Sequence, residues 1–323
     1  MVYLIVPKIG PTPAGGSLYN YFVAKENNFL RLIEVLEVED CINKLPENAL
    51  VIVDSLILVS FCERGYNLKF RTIGLIHLPT FLDKKDQNKR LVAKELNYLK
   101  DLPLIVTGNA FKEDLIASYA LKDNRIYPVL PGMSESLKKE SYAQTVNKIL
   151  VIASITRRKE ILTCIKTLSE LKSKSWSLTI FGEIVDREYF DEIQSYLKEK
   201  RLAHKVVFKG YVKQELLWQS LIKYDLMLNF SRYETFGMAI YEALQIGLPI
   251  LSFGTVLDSL FSKNGNFKSF MDLSSFKREL EKLITDSNYY DRYKFAGNTR
   301  RDWKQVAEEF NNTVCQISKD NQW

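Results

Sequence analysis

The feature that most limits the folds open to this chain is the stretch from Leu226 to Phe253. Two apolar runs, Leu226-Met227-Leu228-Asn229-Phe230 and Ile250-Leu251-Ser252-Phe253, flank a segment that ends in Gly247-Leu248-Pro249. Runs this short and continuously apolar read as buried strands. The helix between them is expected to begin near Phe236 and to stop at Gly247. Glycine supplies the left-handed residue that a helix end favours, and Pro249 forbids continuation. Ile240, Ala243 and Leu244 then face the sheet.

Two carboxylates mark this unit. Glu234 sits at the N-terminal mouth of the helix, and Glu242, eight residues on, lies roughly 12 Å further along the axis if the segment is helical throughout. The mouth offers free backbone N–H groups and the positive end of the helix dipole, so an anion is favoured there, and Gly237 lets a phosphate approach the backbone. A plainer reading fits the same residues, with Glu234 as a capping side chain and Glu242 as a solvated helix position.

The rest of the chain repeats the alternation. Val2-Tyr3-Leu4-Ile5-Val6 reads as a first buried strand, followed by a Pro- and Gly-rich loop. That loop ends in Gly15-Gly16, and Ser17 is placed to cap a helix through Leu18, Tyr19, Phe22 and Val23. A glycine pair there admits a phosphate or sugar close to the backbone and also serves any tight turn. Further strands are expected at 49–54, 72–76, 104–107 and 126–129, and a new series opens at 149–153. Strands alternating with helices imply parallel sheets covered on both faces, with functional groups gathered at the carboxyl ends of the strands. His77 stands at such an end, as do the cations Arg157, Arg158 and Lys159, which are positioned to neutralise a diphosphate. Trp218, in a helix preceding the central strand, reads as core.

The chain has 323 residues, 46 % of them hydrophobic, enough for two domains with separate cores. The boundary is expected near residue 145, giving an amino-terminal domain 1–145, a second domain 146–300 and a final helical segment 301–323. Apolar runs fall short of the roughly 18 to 20 residues a bilayer span needs, and no charged-then-apolar leader opens the sequence, so a cytoplasmic location is expected. Cys41, Cys62, Cys164 and Cys315 lack C-x-x-C spacing, and only His77 and His204 are available, which argues against a zinc site or a disulfide framework. The net charge of +6 favours acidic partners such as nucleotide sugars or anionic lipid. Nucleic-acid motifs are absent, so nucleic acid is not an expected partner. The basic stretch 83–100, with Lys84, Lys85, Lys89, Arg90, Lys94 and Lys100, reads as a solvated face or as a peripheral membrane surface at the cytoplasmic side.

Glu234-Thr235-Phe236-Gly237 through Glu242, followed by Ala243-Leu244 and Gly247-Leu248-Pro249, resembles the E-x7-E signature of retaining family-4 glycosyltransferases of the GT-B fold. The resemblance implies two Rossmann-like, doubly wound parallel-sheet domains facing a cleft, with an acceptor side in the first and a nucleotide-sugar donor side in the second. It implies a final helix packed back on the first domain. It further implies metal-independent, retaining transfer of a hexose from a UDP- or GDP-sugar to an acceptor hydroxyl on a glycan, lipid or small molecule, without a cofactor. In such enzymes the first Glu lies beside the transferred sugar, the second holds the ribose, and the amides following the first hold the diphosphate. These roles fall on Glu234, on Glu242, and on Phe236, Gly237 and Met238. By the same resemblance Gly15 and Gly16 face the donor, His77 lies near the transferred sugar, Lys159 contacts the phosphates, and Tyr211 and Val212 border the base. Two departures stand out: Ser154 occupies a position where many members carry a second phosphate-binding Arg, and Glu160 occupies one where Gly is common. Arg157 and Arg158 are both candidates for the missing cation. The rivals on the same architecture are another enzyme, a nucleotide-sugar epimerase or a phosphorylase, and a non-catalytic sugar-nucleotide-binding partner subunit.

Overall fold

The computed structural model describes residues 1–13, 15–42, 45–79, 89–133, 138–173, 175–257, 259–294 and 301–323. The chain divides into two compact units, Met1–Ser134 together with Arg301–Trp323, and Glu135–Arg300.

The first unit is built on six strands, β1 (Val2–Pro7), β2 (Leu30–Val35), β3 (Leu50–Asp54), β4 (Arg71–Ile76), β5 (Leu104–Val106) and β6 (Ile126–Pro128). They pair in the order β2-β1-β3-β4-β5-β6, all parallel. Leu4, Ile5, Val51, Ile52, Val53 and Ile73 are fully buried, as expected of strands covered on both faces. The chain lays β2 on one side of β1 and then crosses back to place β3 on the other. The strand order therefore reverses at β1/β3, and a crevice opens at the carboxyl ends of these strands.

Two helices of this unit pack against each other. The helix Gly15–Lys25 links β1 to β2 and starts at Gly15 itself, so Ser17 is not its cap and the glycine pair forms its first turn. The helix Trp303–Asp320 buries Trp303, Val306, Ala307, Phe310, Val314 and Ile317. Its Trp303 stacks on Phe22 with ring centroids 5.0 Å apart and meets the Tyr19 ring edge-on at 5.7 Å. A capping box of Asp302 and Gln305 closes its N-terminus.

The second unit repeats the plan with β7 (Lys148–Ile152), β8 (Ser177–Phe181), β9 (Val206–Gly210), β10 (Leu226–Asn229), β11 (Ile250–Phe253) and β12 (Phe267–Phe270). The order is β12-β11-β10-β7-β8-β9, again parallel throughout. Here the reversal falls between β7 and β10. A two-sheet α/β architecture is thus present, with both sheets doubly wound.

The helix between β10 and β11 spans Met238–Ile246. It starts two residues later than the sequence suggests, because Gly237 adopts a left-handed φ of 92° and breaks the helical run before it. At the other end Gly247, also at φ 92°, receives the chain, and the Leu248 N–H bonds back to the Ala243 carbonyl at 3.0 Å. Tyr142 donates its hydroxyl to the Gly247 carbonyl at 2.8 Å. Two of the four edge strands, β2 and β12, escape the sequence reading. Their burial is broken, with Arg31, Glu34, Lys268 and Ser269 exposed, so neither is a continuous apolar run. Among the described residues no helix is long and apolar enough to cross a membrane.

Candidate active site

The reversal at β7/β10 brings together two loops far apart in sequence. The loop after β7 carries Arg158, Lys159 and Glu160, and the loop after β10 carries Ser231, Arg232, Tyr233 and Glu234. Four contacts join them. The Arg232 N–H donates to the Arg158 carbonyl at 2.9 Å, and the Arg158 Nη1 donates to the Tyr233 carbonyl at 2.7 Å. Arg232 forms an ion pair with Glu160. Lys159 Nζ lies 2.5 Å from Glu234 Oε1, with only 15 % and 13 % of the two side chains exposed.

The electrostatics of the pair follow from that burial. Burial opposes the Glu234 charge, yet the facing Lys159 and Arg158 outweigh it and hold the carboxyl below its ordinary range. Lys159 is pulled down by burial first, with Glu234 opposing and Arg158 adding to the effect. Two cations and one anion therefore stand beside the Gly237-capped helix mouth, where the helix dipole adds further positive potential. The Ser231 hydroxyl also faces Glu234, and Asn229 bridges Ser231 to Ser252 behind it.

The two candidates for the second cation are separated cleanly. Arg157 turns away to the helix Arg187–Glu199, donating from Nη1 to Glu192 Oε2 at 2.9 Å, lying 3.6 Å from Asp186 and resting over the Tyr189 ring. Arg158 is the one that joins Lys159 and Glu234. Glu160 sits in the left-handed region at φ 46°, which explains why glycine suits this position. Contacts to Thr163 and Arg232 compensate the glutamate.

Glu242 does not lie beside Glu234 along one helix face. Glu234 precedes the helix, and Glu242 is 5 % exposed in its second turn, so the solvated reading and the axial spacing both fail. Its Oε1 accepts from Gln214 Nε2 at 2.5 Å, in the helix Gln214–Leu221. Burial raises its pKa to about 7, against the opposing effects of Gln214 and Trp218. Trp218 is core at 1 % exposure. Phe236 is buried against the Tyr241 and Phe261 rings, which anchors the loop that presents Gly237 and Met238. Tyr211 and Val212 follow β9, two strands out from β7, after Gly210 at φ 67°.

A second cluster forms in the first unit. His77 directly follows β4, and its ring lies against Gly16, where an added Cβ would come within 2.7 Å of the imidazole. Gly16 and His77 are thus brought together; Gly15, at φ 36°, faces open space. His77 Nε2 lies 2.8 Å from Asn20 Oδ1 and 3.6 Å from Asp54 Oδ2, and Tyr19 packs edge-on against the ring at 5.3 Å. Burial pushes the imidazole pKa down, with Asp54 opposing. Sequence reasoning missed Asn20, Asp54 and Gln214. Asp54 had a signal, a polar residue closing an apolar strand, whereas Asn20 and Gln214 lie inside helices and carry none.

Among the described residues no group of three or more His, Cys, Asp or Glu is placed to hold a metal ion. Cys62 and Cys164 are buried free thiols and Cys315 is an exposed one, while the Cys41 side chain lies outside the described residues. Of the basic stretch, residues 83–88 also lie outside them; the remainder forms the helix Lys89–Asp101, in which Lys94 pairs with Glu63.

The sequence profile of "Glycosyl transferases group 1" matches residues 133–302. The chain belongs to this family. It is 25 % identical over 181 residues to mannosylfructose-phosphate synthase of Agrobacterium fabrum, a match covering 50 % of this chain and 40 % of that protein. The chain therefore spans well under two thirds of this relative. In fold it is similar to sucrose-phosphate synthase from Thermosynechococcus elongatus, with a TM-score of 0.76 at 14 % identity over 99 % of both chains. It is also similar to HepE of Anabaena in complex with UDP and glucose, with a TM-score of 0.74 at 12 % identity over 97 % of this chain and 99 % of that one. The two parallel six-stranded sheets of this chain thus match the GT-B fold of these structures.

Proposed function

We propose that the chain is a retaining, metal-independent glycosyltransferase that moves a hexose from a UDP- or GDP-sugar to an acceptor hydroxyl. One observation carries the reading: the buried Lys159–Glu234 pair, with Arg158 beside it, at the point where the second sheet reverses its strand order and a glycine-capped helix points its amides outward. Family membership and the likeness to a fold that in HepE holds UDP and glucose support it.

In this reading the bond between the sugar C1 and the diphosphate oxygen breaks while C1 bonds to the acceptor oxygen on the same face. The acceptor proton passes to the departing diphosphate. Charge builds on that diphosphate in the transition state, and preorganised donors in a partly buried site stabilise it without reorganising. Lys159, Arg158 and the amides of Phe236, Gly237 and Met238 take this role. Glu234 orients the sugar hydroxyls and His77 meets another. Glu242 holds the ribose, Tyr211 and Val212 border the base, and Gly15 and Gly16 let the donor approach the backbone. The acceptor is a glycan, lipid or small molecule bearing a free hydroxyl, and contact with an anionic membrane through 83–100 would suit a lipid acceptor.

A donor panel tests the reading. Purified protein is incubated with UDP-, GDP- and ADP-sugars in the presence of chelator, and nucleoside-diphosphate release is followed beside Lys159→Ala and Glu234→Ala. Release from one donor, lost in both variants, is the expected result. Release unchanged in both variants would place the chemistry elsewhere and overturn the assignment.

A further inference from the structure

The cluster around His77 holds more information than a buried imidazole near a sugar would need. Asp54 is 2 % exposed, and both of its oxygens accept from N–H groups, Oδ1 from the Leu56 backbone at 2.9 Å and Oδ2 from Asn20 Nδ2 at 2.6 Å. The first of these bonds caps the helix Ser55–Glu63 and fixes the carboxylate. A carboxylate accepts only, so Asn20 must turn its NH2 toward Asp54 and its Oδ1 toward the histidine. An amide oxygen also accepts only. The proton between Asn20 Oδ1 and His77 Nε2, 2.8 Å apart, therefore belongs to Nε2.

The ring has little freedom to choose otherwise. Gly16 lies against one side, Tyr19 meets it edge-on, and the His77 backbone N–H donates to Ser55 Oγ at 3.3 Å. With its proton on Nε2, a neutral imidazole carries its lone pair on Nδ1. Nδ1 then presents an acceptor and not a donor.

We propose that Asn20 and Asp54 are positioning residues that hold His77 as the Nε2–H tautomer, so that Nδ1 accepts a hydrogen bond from a hydroxyl of the transferred sugar. The assignment deepens the transferase reading and rests on it for the identity of the hydroxyl. It also sets a specificity: a donor analogue whose sugar hydroxyl is replaced by fluorine, which cannot donate, loses the contact, although its size is nearly unchanged.

Histidine 15N NMR on the full-length protein tests the tautomer without turnover. The chain has only two histidines, so a His77→Ala spectrum assigns the signals. The expected wild-type spectrum has the pyridine-like nitrogen at Nδ1; finding it at Nε2 would overturn the proposal. Asp54→Asn, nearly isosteric, and Asn20→Ala then remove the relay. Both are expected to mix the tautomers and to lower kcat on the order of 10- to 100-fold, while UDP or GDP affinity, read by titration, stays within about threefold. Mixed tautomers with an unchanged kcat would sink the positioning role and leave the transferase standing. A wild-type protein with the expected tautomer that turns over none of the donors sinks the transferase reading and, with it, the sugar-hydroxyl role.

Discussion

Glu242→Gln is the substitution whose outcome the structure fixes most tightly. The carboxyl is buried between two helices and its pKa is raised to about 7, against an ordinary value of 4.5. A raised acid contributes stability that is fully present below the unfolded value and is lost as pH rises through the folded one. By pH 8 the group is ionised in both states, but the folded chain begins to ionise it only near pH 7 and so gains less from ionisation than the unfolded chain, which starts near pH 4.5. Between about pH 5 and pH 8 the wild-type second unit should thus lose on the order of 2–3 kcal/mol that the variant keeps, given the shift to about 7 and 1.36 kcal/mol per unit.

The variant has the means to stay folded. The new amide keeps an acceptor for Gln214 Nε2, and the same side chain's Oε1, buried without a hydrogen-bond partner among the described residues, is an acceptor of the kind the new NH2 needs. The assay is urea unfolding at the two pH values, followed by tryptophan fluorescence, for which Trp218 lies beside the substituted group. Identical pH dependence in both proteins would refute the reasoning and mean that Glu242 is solvated on a faster timescale than its packing suggests. If Glu242 holds the ribose, the variant also pairs higher stability at pH 8 with a raised donor KM, the trade expected of a strained functional group.

Four further outcomes follow from the geometry. Arg158→Ala should weaken nucleoside-diphosphate binding by roughly tenfold, as expected for losing one charge-assisted hydrogen bond. Arg157→Ala should leave binding unchanged, since its partners are Glu192 and Asp186; isothermal titration of the pair decides between them. Gly16→Ala places a Cβ 2.7 Å from the His77 ring, so it should lower kcat and cost about 1–3 kcal/mol of stability, read by activity and thermal unfolding. Gly182→Ala puts a Cβ 1.9 Å from the Ala153 carbonyl oxygen, backbone that cannot move aside, and soluble expression is expected to collapse; a folded variant would show that β7 and β8 can separate.

Much of the fold was legible because parallel strands buried on both faces leave continuous apolar runs, as in Leu4-Ile5-Val6 and Val51-Ile52-Val53. The end of the helix Met238–Ile246 was legible for the same kind of local reason, a glycine followed by a proline. Two of the edge strands were not. In Leu30–Val35 and Phe267–Phe270 one side of the ladder is open, so polar residues interrupt the pattern. Glu242 was legible as a candidate and misread in setting, since helical spacing says which face a residue occupies and not what covers that face.

The sequence by itself determined the alternation of strands and helices, the glycine-capped turn after β10, and a set of charged residues at strand ends. Those are properties of a few neighbouring residues and of burial. Only the tertiary structure decided which strand ends meet. The reversal of order at β7/β10 set Lys159 against Glu234 and chose Arg158 over Arg157, and the reversal at β1/β3 brought Asp54 beside Asn20 and His77. Strand order is fixed by how whole crossovers pack on a shared sheet, a sum over many contacts distant in sequence, and no local pattern records it.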